Sequence, residues 1–274
     1  MLVLVVVFGN GLRAWLGLSV IRSTPEELAE MLVPAFTVET PGTGTAPFPT
    51  AMLFSGCDGP KDNLGRLAEA LHAADWASLI VDSHTPRALD EAELWRLVCA
   101  GQLLTGQERA ADVAVGLAYA QAAPELSGDR VALVGASHGG WTVLDFLALT
   151  GAGELPPILE KWPAGFGAGV PAAVESVVLL YPYCGGASLA ATANWNPGPR
   201  VLFVLVEGDT ITGEDACLDL ARRMGEAGVE VTVELLTGVT HGFDQQEKSP
   251  LSPLVYDAEV TARVNALIVS FIDG

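Results

Sequence analysis

The stretch Val131–Trp141, VALVGASHGGW, decides the fold. Its first half is an unbroken apolar run of strand length, and its second half opens an apolar helical pattern, GGWTVLDFLAL. Between them Ser137 stands inside G-x-S-x-G, formed by Gly135 to Gly139. Strand, serine and helix in that order are the context that gives the motif chemical meaning; a plain βα turn is the alternative. The turn must be sharp enough to strain the serine backbone and lift its hydroxyl to the sheet edge. Side chains at Gly135 and Gly139 would collide with neighbouring strand and helix. The helix amino terminus behind the serine adds partial positive charge, which favours a developing oxyanion.

Outward from this stretch, apolar strands alternate with helices. FTVET, TAMLFS, WASLIVD, RVALVG, SVVLLY, RVLFVLV and VEVTVELL read as strands, and MLVLVVVF at the start reads as a further one. Helical periodicity covers residues 62–74, 91–123 with a break at 101–106, 214–224 and 254–272. STPEELAEML opens as a capped helix, with Ser23 or Thr24 as cap and Pro25 in the first turn. The pattern predicts an α/β class: a mostly parallel central sheet of about eight strands with helices on both faces. Residues 1–35 form an apolar segment and helix packed on or preceding the domain, and residues 36–274 form the domain itself. Residues 151–175 and 183–199, rich in Gly, Ala and Pro, are predicted as small insertions over the sheet's carboxyl edge.

A serine hydroxyl is a weak nucleophile and needs a base, which in turn needs an orienting acid. There are four histidines. His72 sits in a helix, His84 follows a strand and could line the cleft, and His138 adjoins the serine. His241, in VTHGFD after the last strand, is the predicted base, because Ser…Asp…His then follows in chain order. The acid should lie between them. Asp209 stands just beyond the strand RVLFVLV; Glu207 is the substitute, while Glu214 and Asp215 suit the start of the next helix. The tetrahedral oxyanion needs two backbone donors. The N–H of His138 supplies one, and FSGCDG supplies the other at Cys57, where Gly56 lets the chain approach. Cys57 is the weaker alternative nucleophile, since no elbow motif frames it.

The charge balance narrows the partners. Thirty-three acidic against fourteen basic residues give a formal charge of −19, which repels phosphate backbones and excludes nucleic acid as a natural partner. The residues require no metal and no cofactor. The four cysteines, Cys57, Cys99, Cys184 and Cys217, show no CxxC spacing; they suit two disulfides in an exported protein or four buried thiols in a cytosolic one. The apolar residues 1–21 fit either a first strand with a packed segment or a membrane tether or signal remnant, with three glycines and Arg13 against the second. The compartment stays open, with a soluble cytoplasmic location favoured slightly over export. The oligomeric state is not legible.

The motifs FSGCDG, LIVDSHTPR, ERAADV, VGASHGGW, LYPYC, VEGDTITGEDAC and THGFD, in this order, resemble those of the α/β-hydrolases, and within them the dienelactone-hydrolase-like family. The resemblance runs from about residue 36 to the end. It implies Ser137 as nucleophile, Asp209 as acid and His241 as base. Serine replaces the family's elbow cysteine, which favours general esterase chemistry, and Ser55 stands where His more often precedes the oxyanion glycine. Arg87 and Arg109 hold family-like positions: they bind a substrate carboxylate, or they form structural ion pairs with carboxylates such as Asp82 or Asp112. Trp141 and Tyr183 line an acyl pocket or are simple core. The neighbourhood of the motifs suggests the pairs Cys57–Cys99 and Cys184–Cys217. The chain is thus expected to act on small-molecule esters or lactones; amide cleavage, acyl transfer and a non-catalytic binding scaffold are the rival readings.

Overall fold

In the computed structural model the described residues are 9, 12, 13, 16, 20–166, 171–248 and 252–274. The predicted first strand in MLVLVVVF lies outside them. Helix α1 (Pro25–Leu32) begins with Thr24, whose hydroxyl accepts from the Glu27 N–H while the Glu27 carboxylate accepts from the Thr24 N–H. This capping box satisfies two of the donors that a helix start leaves open. The short strand β1 (Thr37–Glu39) follows, then β2 (Phe48–Phe54), α2 (Asp62–His72) and β3 (Ala77–Ile80). The expected break near residue 101 separates a short segment, Glu91–Glu93 continued by a π-helical turn at Leu94–Val98, from α3 (Gly106–Ala122). Next come β4 (Leu126–Ala136), α4 (His138–Ala152), β5 (Val174–Leu180), β6 (Arg200–Val206), α5 (Asp215–Glu226), β7 (Val231–Leu236) and α6 (Ala258–Asp273).

The seven strands among the described residues form one sheet in the order β1-β3-β2-β4-β5-β6-β7. All pairings are parallel except β1 with β3. Parallel strands need helical crossovers, so both faces are covered and the central strands carry continuous buried runs, Val131–Ala136 in β4 and Val177–Leu180 in β5. The alternation within each strand divides the core. Met52, Phe54, Leu133, Val177, Leu179 and Phe203 meet α1, α3, α4 and α5 on one face. Ala51, Leu53, Val134, Val178, Leu202 and Val204 meet α2 and α6 on the other. Close contact on the first face depends on small residues in α3. A Cβ on Gly116 would stand 2.5 Å from Met52 Cε.

Chain order places the crevice. From β2 the chain moves to β3 on one side, then returns to β4 on the other. The loops leaving β2 and β4 therefore diverge at the carboxyl edge, the position where open α/β sheets bind ligands. Helix α4 starts at this edge and runs back to the opposite one, which corrects one expectation. Residues 151–175 join the end of α4 to the start of β5, so they lie at the amino edge, away from the crevice. Residues 183–199 run from the crevice back to that same far edge, where β6 starts. Among the described residues, no helix is long and apolar enough to cross a membrane.

Candidate active site

Ser137 ends β4 and caps α4 with φ 52° and ψ −112°, a positive-φ conformation that a non-glycine residue rarely adopts. Such strain costs on the order of 1–3 kcal/mol and persists where the surroundings over-determine it. The flanking glycines show what over-determines it. A Cβ on Gly135 would stand 2.4 Å from the Gly139 carbonyl oxygen, and one on Gly139 would stand 2.2 Å from that of Phe54. The sequence predicted both collisions.

The three side chains converge as expected. His241 Nε2 lies 2.9 Å from Ser137 Oγ, and His241 Nδ1 lies 2.7 Å from Asp209 Oδ2. A carboxylate accepts only, so Nδ1 carries the proton and the Nε2 lone pair faces the hydroxyl. Asp209 also accepts from the N–H groups of Ile211 (2.8 Å) and Thr212 (3.2 Å) and from the Thr212 hydroxyl (2.9 Å). Burial opposes its ionisation, but the His241 contact and these hydrogen bonds outweigh it, and its pKa falls below the usual carboxylate range. The substitute acids are placed elsewhere. Glu207 is exposed, Glu214 accepts from the Gly208 N–H at 2.7 Å, and Asp215 opens α5. Tyr181 packs on the imidazole with ring centroids 4.6 Å apart, and its hydroxyl donates to Asp244 Oδ1 at 2.5 Å.

The loop after β2 meets Ser137. Gly56, Cys57, Ser137, His138 and His241 line one cavity of about 990 Å³. A Cβ on Gly56 would stand 3.9 Å from Ser137 Cβ. Cys57 is joined to Cys99 by a disulfide (S–S 1.97 Å), and Cys184 to Cys217 by another (2.04 Å), the pairing the motif neighbourhood suggested. The first ties the β2 loop to the segment that follows the π-helical turn. The second ties the β5 loop to α5. Trp141 and Tyr183 both line the cavity, their rings 5.1 Å apart.

The two arginines do not reach the cavity. Arg87 forms a two-armed pair with Asp112, 2.9 Å on each arm, and also donates to the Ser83 carbonyl. Its substrate-binding reading gives way to the structural one, because Asp112 is fully buried and would be stranded without it. Arg109 forms no ion pair among the described residues. Wholly buried, it donates to the Ser55 carbonyl (2.8 Å), Ser55 Oγ (3.2 Å) and Ser83 Oγ (2.8 Å), and it faces His138 Nδ1 at 3.3 Å. It thus ties the β2 loop to the residue beside Ser137, a role the sequence did not suggest. Burial, and then the Arg109 charge, hold the pKa of His138 well below the usual imidazole range, so its ring is neutral. His84 is buried beside Gly59 and is held neutral by the same two causes. His72 pairs with Ser78 Oγ at 3.1 Å. Thr212, Tyr181 and Asp58 belong to the site without having been singled out. Only their place in the loops after strands could have signalled them.

No family model matches the chain. A protein of Aquifex aeolicus (strain VF5) named as a carboxymethylenebutenolidase is 29% identical over 97 residues, 35% of this chain. The match spans 40% of that relative's length. Solved structures extend the likeness across the fold. A dienelactone hydrolase-like promiscuous phosphotriesterase from metagenomic libraries superposes with a TM-score of 0.61 at 19% identity, covering 87% of this chain and 98% of its own. A thermophilic esterase from Thermogutta terrifontis gives 0.60 at 14% identity, covering 86% and 87%. A dienelactone hydrolase from Anabaena variabilis gives 0.56 at 15% identity, covering 86% and 88%. The chain has the α/β-hydrolase fold in the form these dienelactone-hydrolase-like proteins share.

Proposed function

We propose that this protein is a serine hydrolase that cleaves carboxylic esters or lactones through an acyl-enzyme. The observation that carries the reading is the continuous contact from Ser137 Oγ through His241 to Asp209, at 2.9 and 2.7 Å, inside a cavity large enough for a small ester. Ser137 Oγ attacks the carbonyl carbon while His241 Nε2 takes its proton. The carbonyl oxygen becomes an oxyanion, which the N–H groups of Cys57 and His138 receive. Each such donor is worth roughly 10²–10³ in rate. The imidazolium gives its proton to the departing alkoxide, leaving the acyl group on Ser137. Water, deprotonated by His241, attacks that acyl carbon, and its collapse releases the acid and restores the hydroxyl. Asp209 holds the imidazole in the required tautomer and stabilises its cation.

The names of the solved relatives, esterase and dienelactone hydrolase, support the same chemistry on this fold. The two disulfides favour an oxidising compartment over the cytoplasm. A panel of p-nitrophenyl esters beside the matching anilides tests the proposal. Ester hydrolysis that disappears in both Ser137→Ala and His241→Ala is the expected result. Hydrolysis that survives both changes would refute it.

A further inference from the structure

We infer that the cavity takes uncharged, apolar esters and excludes substrates bearing a carboxylate. This inference rests on the serine hydrolase reading and names its substrate class. The walls are largely apolar: Trp95, Trp141, Tyr183, Ile211 and Leu254 line the same cavity as Ser137. Asp58 is the one carboxylate among the described lining residues, and no Lys or Arg is among them. The fourteen cations of the sequence all fall on described residues, so none is held in the remainder. Asp58 sits close to the chemistry. A Cβ on Gly56 would stand 3.2 Å from Asp58 Oδ1 and 3.9 Å from Ser137 Cβ, so carboxylate and nucleophile flank the same glycine. Gln245 Nε2 donates to Asp58 Oδ2 at 3.0 Å and fixes its direction.

Neither nearby arginine can answer a substrate anion. Arg87 is committed to Asp112, and Arg109 to Ser55 and Ser83; turning either outward would strand buried partners. A carboxylate entering this cavity loses its hydration without gaining a cation. It also meets the Asp58 charge beside the position where the reaction develops a second negative charge. At longer range the −19 chain repels it before it arrives.

The test compares mono-4-nitrophenyl adipate with its methyl ester, which has the same acyl chain without the charge. Nitrophenolate release is followed at low ionic strength, beside fluorophosphonate labelling of the same preparation. The methyl ester should show kcat/KM at least about tenfold higher, with salt narrowing the ratio by screening. Asp58→Asn should narrow it as well. Equal rates, or a faster acid, would overturn the inference while leaving the hydrolase reading intact. Labelling of Ser137 without cleavage of the methyl ester would also overturn the substrate class alone. Absence of both labelling and cleavage would overturn the hydrolase reading, and this inference with it.

Discussion

The two edges of the sheet both carry cavities, and they present different groups to them. At the carboxyl edge the cavity of about 990 Å³ contains a strained serine, an imidazole and the start of α4. At the amino edge a cavity of about 510 Å³ is lined by Leu147, Trp195, Pro197, Pro199 and Val229, with Glu175 as the one ionisable side chain among the described lining residues. Glu175 is paired there with Arg130 at 3.4 Å. Both have apolar walls and an aromatic side chain. They differ in what the backbone presents. Helices begin at the first edge and direct N–H groups into it; α4 ends at the second edge, with carbonyls and a negative partial charge. Volume alone does not make a site on this fold; under the proposed function the oxyanion is held where helix N–H groups point, at the carboxyl edge.

The contrast is sharpest under substitution. Ser137→Ala should lower kcat/KM on a p-nitrophenyl ester by about 10⁴-fold or more, while the melting temperature holds, because alanine keeps the Cβ and the same backbone conformation. Retained activity would move the chemistry away from this edge. Asp209→Asn should cost roughly 10³–10⁴-fold, through kcat rather than KM, because it releases the imidazole tautomer and leaves substrate contacts in place.

Arg109→Met tests the layer beneath the site. Stranding the Ser55 carbonyl and Ser83 hydroxyl should destabilise the fold by roughly 2–4 kcal/mol. With both proposed oxyanion donors, Cys57 and His138, loosened, kcat should fall roughly 10–100-fold. A purely structural arginine would lower the melting temperature and leave the kcat of the folded fraction unchanged. Asp145 provides a pH test away from the reacting atoms. It lies buried in α4, accepting from Ser188 Oγ (2.7 Å) and the Leu189 N–H (2.8 Å). Burial, only partly offset by these bonds, pushes its pKa up to about 7. The folded chain therefore keeps a proton that the unfolded chain has lost. Stability is full below about pH 4 and falls as pH rises towards 7, by on the order of 4 kcal/mol. Asp145→Asn should flatten that slope in thermal melts; an unchanged slope would contradict it. Smallest of all, Trp195→Ala at the amino edge should leave kcat/KM within about threefold.

How much of this was legible in the chain follows from what local pattern encodes. The apolar strands announced a parallel sheet, because burial on both faces removes polar alternation. Ser137, Asp209 and His241 could be chosen because each sits at a strand end in a fixed order. The convergence was not itself readable, since Asp209 and His241 meet only through the pairing of β6 with β7. Residues 151–175 were put at the wrong edge because composition does not tell which end of a helix a loop leaves. The fate of the two arginines was hidden for a related reason. Arg87 meets Asp112, and Arg109 meets Ser55 and Ser83, only once the β2 loop, the β3 loop and α3 are packed together. Asp58 carried no signal of its own beyond its place in FSGCDG.

The most direct measurement is the intact mass of the protein after exposure to a fluorophosphonate, with the modified peptide sequenced. One phosphonyl adduct, located on Ser137 and absent when His241 is replaced by Ala, is the outcome this account requires. An adduct on any other residue, or none on a folded chain that still hydrolyses esters, would contradict it.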